Sequence, residues 1–154
     1  MISPEQQVVI DQLKGLTFDQ TLVDDHDKFT KHVIQKARIF ESYEHKKASV
    51  WEKRDFPTIV KNTYDGLFAE YYLVKHLGFK TDPHKWKDLV STNGVKTEVK
   101  TFAPGGKQKH IKQLTEKRKT KYSFVIMFER TGKSYRFDSA WAYINGKYEQ
   151  IYVD

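Results

Sequence analysis

Cysteine is absent from the chain, which excludes disulfide bonds and every zinc site that depends on thiolate ligands. No apolar run reaches the length needed to cross a membrane, and the segment Met1–Glu5 lacks the basic start and apolar stretch of a secretion signal. The pair Gly105-Gly106 does not make a glycine-rich phosphate loop. These absences predict a protein of the reducing cytoplasm with no membrane contact and no nucleotide cofactor.

Positive charge is what the chain has in excess. It carries 27 Lys and Arg residues against 20 Asp and Glu residues, a net charge of +7. The stretch from Lys100 to Lys121 holds eight basic residues and one acidic residue, Glu116, so it accounts for the whole excess. Such a patch attracts phosphate groups and favours nucleic acid as the partner. The alternative is a solvated helix face whose lysines only maintain solubility.

The basic stretch is expected to contain a helix. Residues 103–106 break regular structure, and a helix from about residue 108 to 119 should follow, with Ile111 and Leu114 on its buried side. The residues that we expect to contact nucleic acid are Lys107, Lys109, Lys112, Gln113, Lys117, Arg118, Lys119 and Lys121.

The segment just before this patch reads as a β-hairpin with charged residues on one face. Side chains of a strand alternate between two faces, so Glu98 and Lys100 point to the same side. A loop of Asn93-Gly94 alone would place Asp88 opposite Val99. A three-residue loop, residues 92–94, would place Asp88 opposite Glu98, and it requires a residue with positive φ at its third position, which Gly94 provides.

We expect the three-residue loop because it groups two carboxylates and an ammonium. Asp88, Glu98 and Lys100 then form a site for a divalent cation and the water that it activates. The alternative is an exposed ion pair of little energetic consequence. The predicted burial of the hairpin argues against that alternative, since an unpaired buried carboxylate is costly.

A helix precedes the hairpin. Residues 64–79 have helical spacing, with an apolar stripe of Leu67, Tyr71, Val74 and Leu77 and a stop signal at Gly78. Glu70 falls on the face that the stripe predicts to be buried, where a carboxylate either finds a cation or costs free energy. The alternative is an edge position from which the Glu70 side chain reaches water. Asp65 is a second candidate for the same role. We favour Glu70 because it lies on the predicted buried face of the helix.

The order of these residues resembles a known family. Glu70 on a helix, Asp88 on a strand and Glu98-Val99-Lys100 on the next strand look like the PD-(D/E)XK nuclease superfamily, over roughly residues 65–130. The chain departs from the family motif where Lys87, instead of proline, precedes Asp88. The competing pair Asp82-Pro83 has the order reversed and lies farther from the hairpin.

The resemblance implies a restriction-endonuclease-like fold and a role for each residue. Asp88 and Glu98 would bind Mg²⁺, or Mn²⁺ in its place, with help from the backbone carbonyl of Val99. Glu70 would hold a second metal ion or a water that the metal binds. Lys100 would orient and help to deprotonate the attacking water, or stabilise the charge that develops on the phosphate.

The chain as a whole is predicted to be one domain of mixed α/β class, with a central mixed sheet flanked by helices. We expect a helical N-terminal part (residues 1–60) with helices from Pro4 to about Leu16 and from Asp24 or Asp25 to about Tyr43. A catalytic core (61–130) would include a buried strand at 122–130. A β tail (131–154) would contain strands at 134–137, 140–144 and 147–153, the last two joined at Asn145-Gly146.

The predicted function is that of a Mg²⁺-dependent DNA endonuclease, either site-specific or structure-specific. It would act as a homodimer, because cutting both strands commonly needs two active sites. Three alternatives stay open: an RNA-acting nuclease with the same metal site, a DNA-binding module without catalysis, and a basic interaction protein whose hairpin charges are only solvated.

Overall fold

A computed structural model of the chain describes residues 2–20, 26–44, 54–81, 89–116 and 123–154. It has a mixed α/β architecture in which helices pack on both faces of a mixed sheet. The described helices are α1 (Pro4–Leu13), α2 (His26–Glu44), α3 (Phe56–Leu77) and α4 (Lys107–Glu116). The strands are β1 (Thr17–Asp19), β2 (Lys80–Thr81), β3 (Leu89–Val90), β4 (Lys96–Phe102), β5 (Phe124–Thr131), β6 (Ser134–Ile144) and β7 (Lys147–Val153).

Helix α1 begins where its sequence predicts and ends earlier. Ser3 accepts a hydrogen bond from the backbone N–H of Gln6, and the Gln6 side chain accepts one from the N–H of Ser3, which forms a capping box. The helix ends at Leu13 instead of continuing to Leu16. Gly15 follows with a φ of 72°, and the chain then enters β1, a strand that the expected helical N-terminal part did not include.

Helix α3 is longer than predicted and its buried face is different. It begins at Phe56, where the side chain of Asp55 accepts a hydrogen bond from the N–H of Thr58. It ends at Leu77, and Gly78 caps it with a φ of 73°. The predicted stripe is wrong in part, since Val74 is 38% exposed. The fully buried face is formed by Phe68, Ala69 and Leu73.

The difference arises because α3 packs against two partners. Its Phe68 face covers the sheet, with the Phe68 ring 5.4 Å from that of Tyr135. Phe29 of α2 packs edge-on against Tyr64 and Tyr71 of α3, at ring distances of 5.1 and 5.7 Å. Leu67 and Tyr71 are therefore half-buried beside α2 instead of forming the main core stripe.

The sheet has the strand order β1-β6-β5-β4-β3-β2, with β7 also pairing with β6. Only β4 and β5 run parallel, and α4 connects them; the other described pairs are antiparallel. The strand predicted at 122–130 is confirmed as the buried β5. Residues 134–144 form one strand instead of two. Its pairing with β5 shifts where Met127 faces Ser139 and Phe128 faces Phe137, which leaves Asp138 as an extra, bulged residue.

Side chains along β5 alternate between the two faces of the sheet, so this strand contributes to a hydrophobic cluster on each face. Phe124, Ile126 and Phe128 belong to the large aromatic cluster under α1, α2 and α3. Val125 and Met127 belong to a smaller cluster beneath α4, with Phe102, Leu114, Trp141 and Tyr148. The central sheet thus holds α3 on one side of β4 and α4 on the other. In the described part of the chain, no helix has the length and apolar character to cross a membrane.

Candidate active site

The hairpin loop has the predicted three-residue form. Leu89 pairs with Thr97 and Val90 with Lys96, and the N–H groups of Ser91 and Gly94 bond to the carbonyls of Val95 and Ser91, respectively. Gly94 has a φ of 88°, as predicted. Asp88 lies outside the described residues. The register of its neighbours is the one that was predicted to place residue 88 opposite Glu98.

Strand β4 brings two of the predicted site residues into direct contact. Glu98 and Lys100 lie on the same face of β4, and Lys100 Nζ is 3.2 Å from Glu98 Oε1. The Glu98 side chain is 22% exposed and that of Lys100 36%. Within β4, the described part of β3 pairs with Lys96 and Thr97 alone. Among the described strands, the following stretch of β4 therefore has β5 as its only neighbour.

Helix α3 brings Glu70 to the same place. A cleft of about 220 Å³ opens between α2, α3 and β4 and is lined by Glu70, Glu98, Val99 and Lys100. Its remaining lining residues are Lys36, Phe40, Asn62, Thr63, Gly66 and Leu67. Four residues predicted for the site therefore meet in one cleft, Glu70 from α3 and the consecutive residues 98–100 from β4.

The second carboxylate oxygen of Glu98 is the chemical anomaly of this cleft. Glu98 Oε2 is buried and has no hydrogen-bond partner in the described part of the chain. A buried carboxylate oxygen without a partner costs free energy, and a cation bound in the cleft would remove that cost. Glu70 and Glu98 supply hard oxygen ligands of the kind that Mg²⁺ prefers, so this donor set fits the ion.

The described carboxylates alone do not complete a metal centre. Within the described segments, no three His, Cys, Asp or Glu side chains come close enough together to hold a metal ion. Glu70 and Glu98 provide two such side chains, and the third that the sequence predicts is Asp88, which is not among the described residues.

Asp65, the alternative to Glu70, has a different environment. Arg130 Nε lies 2.7 Å from Asp65 Oδ2, and the hydroxyl of Tyr135 donates to Oδ1 at 3.4 Å. Burial raises the pKa of the Asp65 carboxyl, and the Arg130 guanidinium opposes that rise. Asp65 is therefore engaged in a buried ion pair, whereas Glu70 lines the cleft beside Glu98.

The basic helix presents its residues to more than one surface. Lys107 Nζ lies 2.9 Å from Asp138 Oδ2, so this lysine binds the bulge of β6. Lys112 is exposed. Lys109 and Gln113, four residues apart on α4, line a second cleft. The other predicted nucleic-acid contacts lie outside the described residues: Lys117, Arg118, Lys119 and Lys121.

This second cleft, here called the basic groove, runs between α3 and α4 along β4. Its volume is about 680 Å³, and its charged lining residues are Arg54, Lys61, Asp65, Lys100, Lys109 and Arg130. His110 also lines it, with Nδ1 buried and unpartnered among the described residues. Burial lowers the pKa of His110, and the charges of Lys100 and Lys109 lower it further.

Sequence reasoning missed the α3 side of this groove. Lys61 and Asn62 were outside the helix predicted from residue 64 onward. The signal was present, because Asp55 followed by Pro57 is a typical helix start. Lys36 of α2 was missed for another reason, since only the packing of α2 on α3 brings it to the cleft.

Comparison of the chain with protein-family models, with curated proteins and with solved structures finds no match. The residues and the geometry of the two clefts therefore carry the functional argument.

Proposed function

We propose that the protein is a metal-dependent phosphodiesterase that cuts DNA internally, built on a restriction-endonuclease-like core. The observation that supports this most strongly is the pairing of Glu98 with Lys100 in a cleft that also contains Glu70, where Glu98 Oε2 is buried without a partner among described residues. An ordinary surface ion pair leaves both carboxylate oxygens open to water. This carboxylate instead has one oxygen on a lysine and one that is buried without a partner among the described residues.

Glu98, Glu70 and Asp88 are the proposed ligands of Mg²⁺, with Mn²⁺ as a substitute, and the Val99 carbonyl is a further donor. A bound divalent cation would supply Lewis acidity, lowering the pKa of water and offsetting the negative charge of the transition state. The neighbouring carboxylates repel one another, and a cation relieves that repulsion. Binding of the metal is therefore expected to stabilise the fold as well as to permit catalysis.

Lys100 is the proposed catalytic cation. Its ammonium group lies 3.2 Å from Glu98, and the residue lines both the cleft of the proposed metal ligands and the basic groove, where a phosphate would approach. From that position it can orient the attacking water and stabilise the charge that develops on the phosphate oxygens. Its contact with Glu98 holds the side chain in place before substrate binds.

The basic groove supports nucleic acid as the substrate. Five basic residues line it against a single acidic one, Asp65, which is already paired with Arg130. Cutting both strands of a duplex requires two such sites, and a symmetric homodimer would supply them. RNA presents the same phosphodiester group, so it is the second candidate substrate.

The test is cleavage by the purified chain of supercoiled plasmid, four-way junction DNA, single-stranded DNA and RNA, each with Mg²⁺, Mn²⁺ or EDTA. The variants Glu98→Gln and Lys100→Met remove the proposed ligand and the proposed catalytic cation. Glu149→Gln, on β7 and outside both clefts, is the matched control. We expect metal-dependent cleavage of at least one substrate, lost in both site variants and kept in the control.

Two results would overturn the proposal. One is an absence of cleavage on the whole substrate panel. The other is cleavage that Glu98→Gln and Lys100→Met leave at the wild-type rate, because the activity would then belong to another site or to a contaminant.

A further inference from the structure

The active-site cleft and the basic groove are adjacent and share part of their lining. The residues Asn62, Gly66, Val99 and Lys100 line both of them. On one side of this shared boundary lie the carboxylates Glu70 and Glu98. On the other side the basic groove extends past Lys61 of α3 and Lys109 of α4. A ligand that occupies both clefts has to cross this boundary, which α3 forms with Asn62 and Gly66 and β4 forms with Val99 and Lys100.

Gly66 is anomalous at this boundary. It lies inside the 22-residue helix α3, where glycine is less favourable than alanine. Its backbone does not have the positive φ that favours glycine. A Cβ added at this position would have no heavy atom within 4 Å, so close packing does not require glycine either. Its effect on the molecule is to leave open space between the two clefts.

Apart from Lys100, which is paired with Glu98, the basic residues of the groove divide into two groups. Arg54 is bound to the buried carboxylate of Glu44, with Nη2 to Oε1 at 3.0 Å, and Arg130 is bound to Asp65. These two arginines form the walls of the groove. Lys61 and Lys109 are exposed on its opposite sides, one on α3 and one on α4. They are positioned to contact the backbone phosphates of a strand lying between the two helices.

The groove lacks a stacking platform in its described lining. Phe102 contributes its ring to the core beneath α4 and is 4% exposed. Bases therefore have no exposed phenylalanine, tyrosine or tryptophan ring to stack on among these lining residues. Lysines, Asn62 and Gln113 instead offer donors to phosphate and sugar oxygens, which favours binding that is independent of base sequence.

We propose that the basic groove holds the phosphodiester backbone of the substrate strand that flanks the scissile phosphate, and that this strand passes over α3 at Gly66 to reach the catalytic cleft. Lys61 and Lys109 contact its phosphates from opposite sides. The proposal rests on the proposed phosphodiesterase function, and it adds the path of the strand, the α3 side of the binding surface and a role for Gly66.

Binding without turnover tests the groove by itself. Anisotropy of labelled single-stranded DNA, single-stranded RNA and duplex DNA is measured in EDTA across a salt series, for the wild type, Lys61→Ala, Lys109→Ala and the control Lys147→Ala, whose lysine is exposed on β7. Removing one phosphate contact should reduce the slope of log affinity against log salt by about 1. We expect that reduction in both groove variants and not in the control, on whichever strand type binds best.

The proposed role of Gly66 is tested by substitutions that fill the open space beside it. Gly66→Ala and Gly66→Leu place an increasing volume in open space, and both residues favour a helix more than glycine does. We expect both variants to remain folded, with the cleavage rate falling more for leucine than for alanine, by about tenfold or more. Groove binding of a short strand in EDTA should stay close to that of the wild type.

The outcomes separate this inference from the proposed function. Unchanged salt slopes in Lys61→Ala and Lys109→Ala, or wild-type cleavage by Gly66→Leu, would overturn the strand path while leaving the nuclease intact. Failure of the wild type to bind any phosphodiester strand would also overturn it. Reduced salt slopes in the two lysine variants, together with no metal-dependent cleavage by the wild type, would support strand binding in the groove and overturn the proposed nuclease activity.

Discussion

Lys100 Nζ lies 3.2 Å from Oε1 of Glu98, while Oε2 of the same carboxylate is buried without a hydrogen-bond partner in the described segments. One carboxylate thus has one oxygen paired with a lysine and one buried oxygen without a partner among the described residues, and Glu98 lines the cleft that also contains Glu70. An unpaired buried acceptor is destabilising, and a cation bound beside Oε2 would remove that cost. The arrangement is therefore better suited to binding a cation than to holding the hairpin together.

Replacing Lys100 by methionine should separate catalysis from metal binding. The substitution keeps most of the apolar stem and removes the ammonium, so the proposed stabilisation of the transition-state charge is lost. We expect the cleavage rate to fall by about 10²-fold or more, as for the loss of a preorganised cationic or hydrogen-bonding group. Affinity for Mn²⁺, measured by calorimetry, should be at least as high as in the wild type because a competing cation is gone. Weaker Mn²⁺ binding in Lys100→Met would count against this division of roles.

Replacing Arg130 by methionine should strongly destabilise the fold. The Arg130 and Asp65 side chains are 13% and 12% exposed, so the substitution leaves an unpaired carboxylate in a buried site. The free energy of unfolding, from urea denaturation, should fall by about 3–5 kcal/mol. Adding Asp65→Asn should recover a large part of the loss, because a neutral amide is cheaper to bury. Lys147→Met, in an exposed pair, should change the same free energy by less than about 1 kcal/mol. A small effect of Arg130→Met would show that the pair is not needed for stability.

Replacing Gly94 by a residue with a side chain should destabilise the fold, and the reason is its backbone conformation alone. Its φ is 88°, and a Cβ there would meet no heavy atom within 4 Å. Gly94→Ala should therefore cost about 1 kcal/mol of unfolding free energy through backbone strain. Gly94→Asn should cost less, since asparagine adopts positive φ more readily. Equal stability of the alanine variant and the wild type, by urea denaturation, would contradict the observed loop geometry.

Stability should fall in mildly acidic solution because of His110. Burial, Lys100 and Lys109 hold its pKa in the folded state below the ordinary value of 6.5. Below pH 6.5 the unfolded chain takes up a proton that the folded chain does not yet accept. The free energy of unfolding therefore decreases as the pH falls from 6.5 towards the folded-state pKa, and above pH 6.5 this histidine contributes no slope.

The measurement for this prediction is urea denaturation at several pH values on both sides of 6.5. His110→Gln should flatten the slope below 6.5, and His76→Gln, at an exposed position of α3, is the matched control. Some slope should persist, because burial and Lys36 also lower the pKa of His32. An identical pH dependence in His110→Gln and the wild type would refute the assignment to His110.

Local signals predicted the geometry of the hairpin around Gly94 well. The three-residue loop and positive φ of Gly94 follow from turn chemistry, which depends on a few adjacent residues. The buried strand β5 and the capping box of α1 are also local. The N-terminal strand β1 was missed because three residues carry no measurable periodicity, and its partner Tyr135 is far along the chain from Phe18.

The remaining errors come from tertiary packing. The buried face of α3 was misjudged because apolar residues on two sides of the helix serve two partners, α2 and the sheet, and a single stripe cannot represent both. Grouping Glu70 with Glu98 could be predicted from their spacing and a family resemblance. The basic groove could not be, since it depends on where α3 and α4 lie relative to β4.

The most direct test of the cation cleft is Mn²⁺ binding by calorimetry, without nucleic acid, for the wild type, Glu98→Gln and the control Glu149→Gln. Glutamine keeps the size of Glu98 and removes the charge that the cation requires. If Glu98 is a metal ligand, the wild type and the control should bind Mn²⁺, and the Mn²⁺ affinity of Glu98→Gln should be at least about tenfold lower. Equal affinity in all three proteins, or no binding by the wild type, would contradict that role of Glu98.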